Sequence, residues 1–135
     1  MAITFVPDAG DVLICDFTGF VAPEMTKTRR VIVLSPRSRR IIPRTYLVVP
    51  VSRTVPVPRE PCHHEFHAKS YPFFDQTQSV WVKADMVTCV AAHRLDRVKI
   101  LGRFARCSLL KEDLNAVRRR VLFALGLDDR RREVR

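Results

Sequence analysis

The sequence predicts a mainly β domain, in which a small antiparallel barrel is capped by a C-terminal helix. Three observations lead to this fold class. Five or six short segments are rich in β-branched and other apolar residues, and loops with glycine or proline separate them. Near the C-terminus the apolar residues instead recur every three or four positions, which is typical of an amphipathic helix. The chain has 135 residues, of which 47% are hydrophobic, and this suits one domain with its own core.

The predicted strands all precede the helix. They cover residues 10–17 (GDVLICDF), 29–35, 45–52 (TYLVVPVS), 63–68, 79–90 (SVWVKADMVTCV) and 98–105. The fifth segment is expected to kink near Ala84 and Asp85. Pro50 lies inside the third segment and favours an edge strand or a bulge, because proline cannot donate a hydrogen bond to a neighbouring strand.

The C-terminal helix is predicted from a stripe of apolar residues on one face. The stripe consists of Leu110, Leu114, Val117, Val121 and Leu125. Ser108 is the expected N-cap, and Gly126 is expected just beyond the C-cap, with Leu127 folding back in a Schellman-type contact. Residues 1–127 are therefore expected to form the domain, and the charged residues 128–135 a frayed tail.

The chain carries a strong excess of positive charge. Its 24 Lys and Arg residues against 14 Asp and Glu give a net charge of +10, which favours a polyanion or an acidic protein as partner. The N-terminus lacks the pattern of a signal peptide, and no apolar run approaches the roughly 20 residues that span a bilayer. The cysteines lie far apart and form no CxxC, so we expect a reducing, cytoplasmic setting without membrane contact.

Two arginines stand directly in front of a buried strand in TRRVIVLSP, residues 28–36. Three of the four apolar residues that follow Arg30 are β-branched, which is typical of a strand inside a core. Two interpretations fit the paired guanidinium groups of Arg29 and Arg30, with Lys27 and Thr28 just before them. In the first, the arginines only keep the end of the strand solvated. In the second, they form a binding site for phosphate.

Several motifs, taken in order, resemble the MazF/PemK (Kid) toxins of type II toxin–antitoxin systems. They are GDVLICDF, RRVIVLSP, VVPVS, WVKADMV and a helix that ends in ALGL, and together they span about residues 8–127. The resemblance implies an SH3-like barrel (MazF/CcdB-like) and a homodimer. It also implies a metal-independent endoribonuclease that cleaves single-stranded RNA or mRNA at short sequences, and an acidic antitoxin that covers the RNA groove.

The resemblance also implies roles for individual residues. Arg29 stands six positions before Ser35, where the family has its catalytic arginine, and Arg30 replaces the proline that usually follows. Ser52, in Pro50-Val51-Ser52, takes the position of the catalytic hydroxyl. The expected catalytic residues are Arg29, Ser52 and Asp85. The expected RNA-binding residues are Glu24, Lys27, Arg30, Arg53, His64 and Lys83.

The chemistry of these side chains leaves some roles open. An arginine is always charged and forks onto two phosphate oxygens, so Arg29 suits stabilisation of the transition state better than proton transfer. Asp85 is either the general base or a positioning residue, and Lys83 is expected on the same strand face two residues earlier. The alternatives without a catalytic or binding role are an ordinary strand-end serine for Ser52, a structural carboxylate for Asp85 and a simple loop residue for Glu24.

The stretch Cys62-His63-His64-Glu65-Phe66-His67 resembles a metal site only superficially. On a strand His63 and His67 would lie about 13 Å apart, too far to share an ion, so we predict neither a metal nor another cofactor. His64 is expected to face the RNA channel or solvent. Phe73 and Phe74 are the best candidates for stacking on bases, whereas Trp81 and Tyr46 are expected in the core.

A second class of function competes with the nuclease. The same barrel could serve as a non-catalytic module that binds RNA or inhibits a protein target, as the related CcdB toxins do. Such a module has no use for the combination of Arg29, Ser52 and Asp85, and this combination separates the two hypotheses.

Overall fold

The computed structural model describes residues 3–37 and 41–127. The strands are β1 (Asp11–Asp16), β2 (Thr28–Val33), β3 (Thr45–Ser52), β4 (His63–Phe66), β5 (Val80–Lys83), β6 (Thr88–Ala91), β7 (Leu95–Ile100), β8 (Arg103–Ala105) and β9 (Cys107–Ser108). The helix α1 covers Lys111–Ala124. Single turns of 3₁₀-helix lie at Ala68–Ser70, Ala84–Met86 and Ala92–Arg94. The fold class predicted from the sequence is confirmed.

The strands pair antiparallel in the order β4-β5-β3-β2-β1-β7-β8, with β6 alongside β3 and β9 alongside β1. The central pair is β1 and β2, in which Leu13 lies opposite Val31 and Cys15 opposite Arg29. This register places the start of β2, with its arginines, at one end of the sheet. The predicted arrangement of short antiparallel strands therefore holds.

Both faces of β2 are buried, and this explains its unbroken apolar run. Ile32 packs in one core cluster with Val49 and with Val117 of the helix. Val31 and Val33 pack in a second cluster on the opposite face, with residues such as Leu13 and Tyr46. A strand held on both faces fixes the backbone position of the residues that begin it.

Proline occurs in β3 for a reason other than the predicted edge or bulge. β3 is a central strand, and Pro50 lies opposite Val31 of β2. On its other side β3 pairs with β6 over residues 45–48 and with β5 over residues 51–52. Pro50 therefore lies where β3 changes partner, and a missing N–H is tolerated at that point.

The segment 79–90 bends more sharply than the expected kink. It divides into β5 and β6, and the 3₁₀ turn at Ala84–Met86 lies between them. The alternation of side chains between the two faces of the strand therefore ends at Lys83. The expectation that Lys83 and Asp85 share a strand face is wrong. The last predicted strand is also two strands, β7 and β8, which are joined through Leu101 (φ 51°) and Gly102 (φ 79°). Positive φ at both positions is typical of a tight hairpin turn.

The helix follows the predicted stripe in its middle, where Val117 and Val121 are buried. Ser108 is not the N-cap, because it belongs to β9 and its hydroxyl donates to Asp11 Oδ1 at 2.8 Å. Leu110 occupies the N-cap position. The Schellman-type end is confirmed: Leu127 N–H donates to Leu122 O and Gly126 N–H to Phe123 O. The predicted tail, residues 128–135, lies outside the described residues.

The four cysteines are free thiols. Cys15, Cys62 and Cys107 are buried, whereas Cys89 is exposed on β6 despite its apolar sequence neighbours. Burial raises the pKa of Cys15 to about 11, so this thiol stays protonated at neutral pH. In the described part of the chain, no helix has the length and apolar character needed to cross a bilayer.

Candidate active site

Arg29 lies between two neighbouring surface clefts. One cleft, of about 260 Å³, is called here the Ser52 cleft, and Glu24, Arg29, Ser52 and Lys83 are among its lining residues. The other, of about 220 Å³, is called the Arg53 cleft and is lined in part by Thr28, Arg29, Arg30, Arg53 and Phe74. Three segments that are separated in the sequence thus meet in the Ser52 cleft: the residues from Glu24 to Arg29, the end of β3 and the end of β5.

The backbone of Arg29 is fixed by the strand that it opens. It lies opposite Cys15 of β1, and the buried residues of β2 follow directly. The side chain is exposed, and its Nε donates to Thr26 O at 3.3 Å. Within the described residues the terminal guanidinium nitrogens of Arg29 have no acceptor. They remain available for two oxygens of a phosphate.

Ser52 ends β3 and is 9% exposed. Its Oγ accepts the N–H of Thr54 at 3.1 Å, so the hydroxyl proton can be donated to a ligand. Glu24 is exposed on the loop between β1 and β2, and its Oε1 accepts the N–H of Val21 at 3.2 Å. The base of that loop is closed by Phe17 N–H, which donates to Lys27 O at 2.9 Å. Glu24 is therefore held by a local turn at the edge of the cleft.

Asp85 is placed elsewhere. The 3₁₀ turn after β5 carries its carboxylate toward His63, whose Nε2 lies 4.0 Å from Asp85 Oδ1. Asp85 is not among the residues that line the Ser52 cleft, whereas Lys83 is. The carboxylate that the lining does include is that of Glu24. The sequence singled out Glu24 only by its position five residues before Arg29.

Strand periodicity predicts that Arg30 lies on the face of β2 opposite to Arg29. The alternation holds further along β2, since Ile32 and Val31 belong to different core clusters. At the exposed end of the strand, however, both arginines reach the Arg53 cleft. The Nε of Arg30 is buried and lacks a hydrogen-bond partner within the described structure. The strict separation predicted from strand periodicity is therefore incomplete at this end.

Arg53 is held at the wall of its cleft by an ion pair. Its Nη1 lies 3.2 Å from Asp75 Oδ2, while Asp75 Oδ1 accepts hydrogen bonds from the hydroxyl and N–H of Thr77. The bonds from Thr77 hold the pKa of Asp75 below its usual value. Lys27 lines neither cleft and is exposed, with a φ of 66°.

The structure corrects the expected positions of His64 and of two aromatic residues. His64 Nε2 lies 3.2 Å from Asp113 Oδ1 of the helix, so this histidine faces α1 rather than an RNA channel or open solvent. Phe73 and Phe74 are 7% and 4% exposed and pack in the core, so neither is the exposed loop residue that stacking on bases was expected to use, although Phe74 forms part of the wall of the Arg53 cleft. Trp81 and Tyr46 are buried as predicted.

A mostly antiparallel, barrel-like sheet with a C-terminal helix and an arginine–serine cleft defines the class of small toxins to which the motifs pointed. A family model described as PemK-like, MazF-like toxin of type II toxin–antitoxin system matches residues 8–125. The match covers most of the chain, and the chain belongs to this family.

Relatives and solved structures agree with this assignment. The Escherichia coli (strain K12) protein YifN is 31% identical over 147 aligned positions, which cover 93% of this chain and 96% of YifN. MazF from Deinococcus radiodurans superposes with a TM-score of 0.66 at 21% identity, covering 90% of this chain and 98% of that one. A mycobacterial endoribonuclease, solved with its cognate antitoxin, gives a TM-score of 0.64 at 17% identity, with 90% and 96% covered. At these identities the solved structures establish the shared fold.

Proposed function

We propose that the chain is a sequence-specific endoribonuclease toxin that cleaves single-stranded RNA, including mRNA, by attack of the 2′-hydroxyl and without a metal ion. The observation that carries this proposal is the Ser52 cleft. It brings together a fixed guanidinium from Arg29, a hydroxyl from Ser52, a carboxylate from Glu24 and an ammonium from Lys83. These groups match the needs of a phosphoryl transfer that passes through a doubly charged phosphorane.

In the proposed step the 2′-oxygen attacks the adjacent phosphorus while the bond from phosphorus to the 5′-oxygen breaks. Glu24 takes the proton of the 2′-hydroxyl, and the leaving 5′-oxygen takes a proton from solvent. The products are a 2′,3′-cyclic phosphate and a 5′-hydroxyl. Arg29 stabilises the phosphorane through two equatorial oxygens, and Ser52 donates its hydroxyl proton to one of them.

The remaining predicted residues support binding. Lys83 adds positive charge to the Ser52 cleft, and Arg30 and Arg53 add it to the Arg53 cleft. We assign Asp85 a positioning role, because it lies outside the lining of the Ser52 cleft but within the turn that directly follows Lys83. Lys27 remains a prediction from the sequence, since it lines neither of the two clefts. We assign His64 no role in RNA binding, because it contacts Asp113 of the helix.

The proposed partners are an acidic antitoxin and a second copy of this chain. The net charge of +10 favours an acidic segment that competes with RNA for the two clefts. MazE–MazF complexes from Deinococcus radiodurans are among the structures that share the fold. RNA and antitoxin would meet this protein in the cytoplasm.

The decisive experiment incubates the purified chain with a long RNA in EDTA and maps the new 5′ ends. We expect cleavage at a short recurring sequence with 5′-hydroxyl ends, and loss of these ends in Arg29→Ala. RNA binding without any cleavage would instead support the non-catalytic module. Cleavage that requires added Mg²⁺ would contradict the proposed chemistry.

A further inference from the structure

A second cluster of chemically active side chains lies outside the Ser52 cleft. One donor atom each from Cys62, His63 and Asp85 lies within 4.8 Å of the other two. We propose that these residues form a zinc site, with the carboxylate of Glu60 as the fourth ligand. Of these residues only Asp85 has a role in the nuclease proposal, and neither Cys62 nor His63 lines the Ser52 cleft, so zinc binding can be tested without RNA.

The donor set selects the metal. Thiolate and imidazole are the ligands that Zn²⁺ prefers, and a carboxylate commonly completes its four-coordinate shell. Mg²⁺ and Ca²⁺ instead prefer shells made only of oxygen atoms. Glu60 supplies the fourth group at short range, since its Oε2 lies 3.9 Å from Cys62 Sγ.

The backbone places these donors before any metal arrives. Cys62 directly precedes β4, His63 is the first residue of that strand, and Asp85 lies in the turn that follows β5. The two strands pair directly, with His63 opposite Lys83, and Ala84 N–H donates to Cys62 O at 3.1 Å. Tetrahedral zinc with bonds of about 2.0–2.3 Å places its donors about 3.5 Å apart. The side chain of Asp85 is 53% exposed, so it is free to rotate inward over the remaining distance.

The local charges favour a cation. The carboxylates of Asp85 and Glu60 both lie beside the Cys62 thiol, which donates toward Glu60 Oε2 at 3.9 Å. A divalent ion would replace the thiol proton and neutralise the two carboxylates at the same time.

The hydrogen bonds of His63 predict a distinctive signature for binding. Its Nδ1 accepts the N–H of Glu60 at 3.0 Å, so in the metal-free protein the ring proton is on Nε2, which faces Asp85. Coordination through Nε2 requires the ring proton to be on Nδ1. The contact with Glu60 N–H must then open, and this exposed loop amide can bond to water instead. The same movement frees Glu60 to bring its carboxylate to the metal.

The test measures metal binding on the full chain without RNA. The protein is stripped with EDTA, dialysed, and titrated with Zn²⁺ against a chromogenic chelator, and Co²⁺ is added separately to detect a thiolate-to-cobalt absorption band. We expect one Zn²⁺ per chain. Cys62→Ser should lose the cobalt band and weaken zinc binding on the order of 100-fold or more, because a ligand is removed. Asp85→Asn should also weaken binding, and its exposed position makes misfolding an unlikely cause of the loss.

Cys89→Ser is the matched control, since Cys89 is an exposed thiol on β6 that is not part of the cluster. It should bind zinc like the wild type. Nitrogen-detected NMR should show the ring proton of His63 moving from Nε2 to Nδ1 when zinc is added. The proposal is overturned if the wild type binds zinc no better than Cys62→Ser, or if His63 keeps its Nε2 proton in saturating zinc. Cleavage in EDTA tests the nuclease separately, so the two proposals can fail independently.

Discussion

Removing the guanidinium of Arg29 should abolish most RNA cleavage and leave the fold intact. Arg29 stands at the exposed end of β2, and the buried residues that follow hold its backbone in place. A donor fixed in this way needs little reorganisation when negative charge develops on the phosphorane, and this preorganisation is the source of electrostatic catalysis. The change to test is Arg29→Ala.

The structure separates the expected effect on rate from the effect on stability. Loss of one preorganised donor in other enzymes costs about 100- to 1,000-fold in rate, or about 2.7–4 kcal/mol of transition-state stabilisation. In contrast, among the described residues the side chain of Arg29 makes one hydrogen bond, a 3.3 Å contact to Thr26 O on the loop before β2. Substitutions at such surface positions usually change the free energy of unfolding by about 0.5 kcal/mol or less.

The assay is single-turnover cleavage of an RNA that contains the mapped site, with thermal unfolding measured in parallel. Arg29→Lys should cleave faster than Arg29→Ala, because lysine keeps the positive charge but cannot bind two phosphate oxygens through two planar nitrogens. Arg30→Ala should weaken RNA binding more than the cleavage step. Arg30→Pro should be tolerated, since the family resemblance implies proline at this position. Normal cleavage by Arg29→Ala together with an inactive Arg30→Ala would show that the two roles are exchanged, and normal cleavage by both would refute the mechanism.

Three further outcomes are expected. Glu24→Gln should slow cleavage by roughly 100-fold or more while RNA binding persists. Asp85→Asn should slow cleavage less than Glu24→Gln does. Equal cleavage rates for Glu24→Gln and the wild type would exclude Glu24 as the general base. Burial, followed by the hydrogen bond to Asp113, raises the pKa of Tyr71 above its ordinary value of about 10, so the folded state favours the neutral phenol. The stability that this provides is present below pH 10 and is lost as the pH rises above it, and urea unfolding at pH 9 and pH 11 should show a larger loss of stability in the wild type than in Tyr71→Phe. Light scattering at micromolar concentration should detect a homodimer, and a 15.6 kDa species would contradict it.

Much of the fold could be predicted because local pattern and tertiary packing agree. β3 has the predicted bounds, residues 45–52, and β1 and β2 differ from prediction by one or two residues at each end. The errors occur where long-range contacts decide. Ser108 is a typical N-cap residue, but its hydroxyl bonds to Asp11 at the start of β1, which lies 97 residues away in the sequence. Leu101 lies in the turn between β7 and β8 and is 98% exposed. Because it is apolar, the sequence predicts that the strand continues through it.

The residues of the Ser52 cleft were found through ordered motifs rather than through local chemistry. Glu24 and Lys83 lie on different elements, and nothing near either residue indicates that they meet at Ser52. Asp85 shows the limit of that approach. A kink is predicted near Ala84 and Asp85, but the segment has neither glycine nor proline to indicate the full turn at Ala84–Met86, which directs Asp85 toward His63. The zinc site proposed above was missed for a related reason: the stretch from Cys62 to His67 was weighed alone, whereas the site needs Asp85 from the turn after β5.

The position of Arg29 between two clefts fits the geometry of a phosphodiester. A scissile phosphate links two nucleosides, so a site for it needs room on both sides of the charged group that binds it. The Ser52 cleft and the Arg53 cleft, of about 260 and 220 Å³, provide that room on either side of Arg29. Arg30 lies in the Arg53 cleft, on one side only, where family members commonly carry an uncharged proline. Its contribution should therefore appear as tighter binding of the RNA on that side, in KM rather than in kcat, and its removal should reduce the salt dependence of binding by about one phosphate contact.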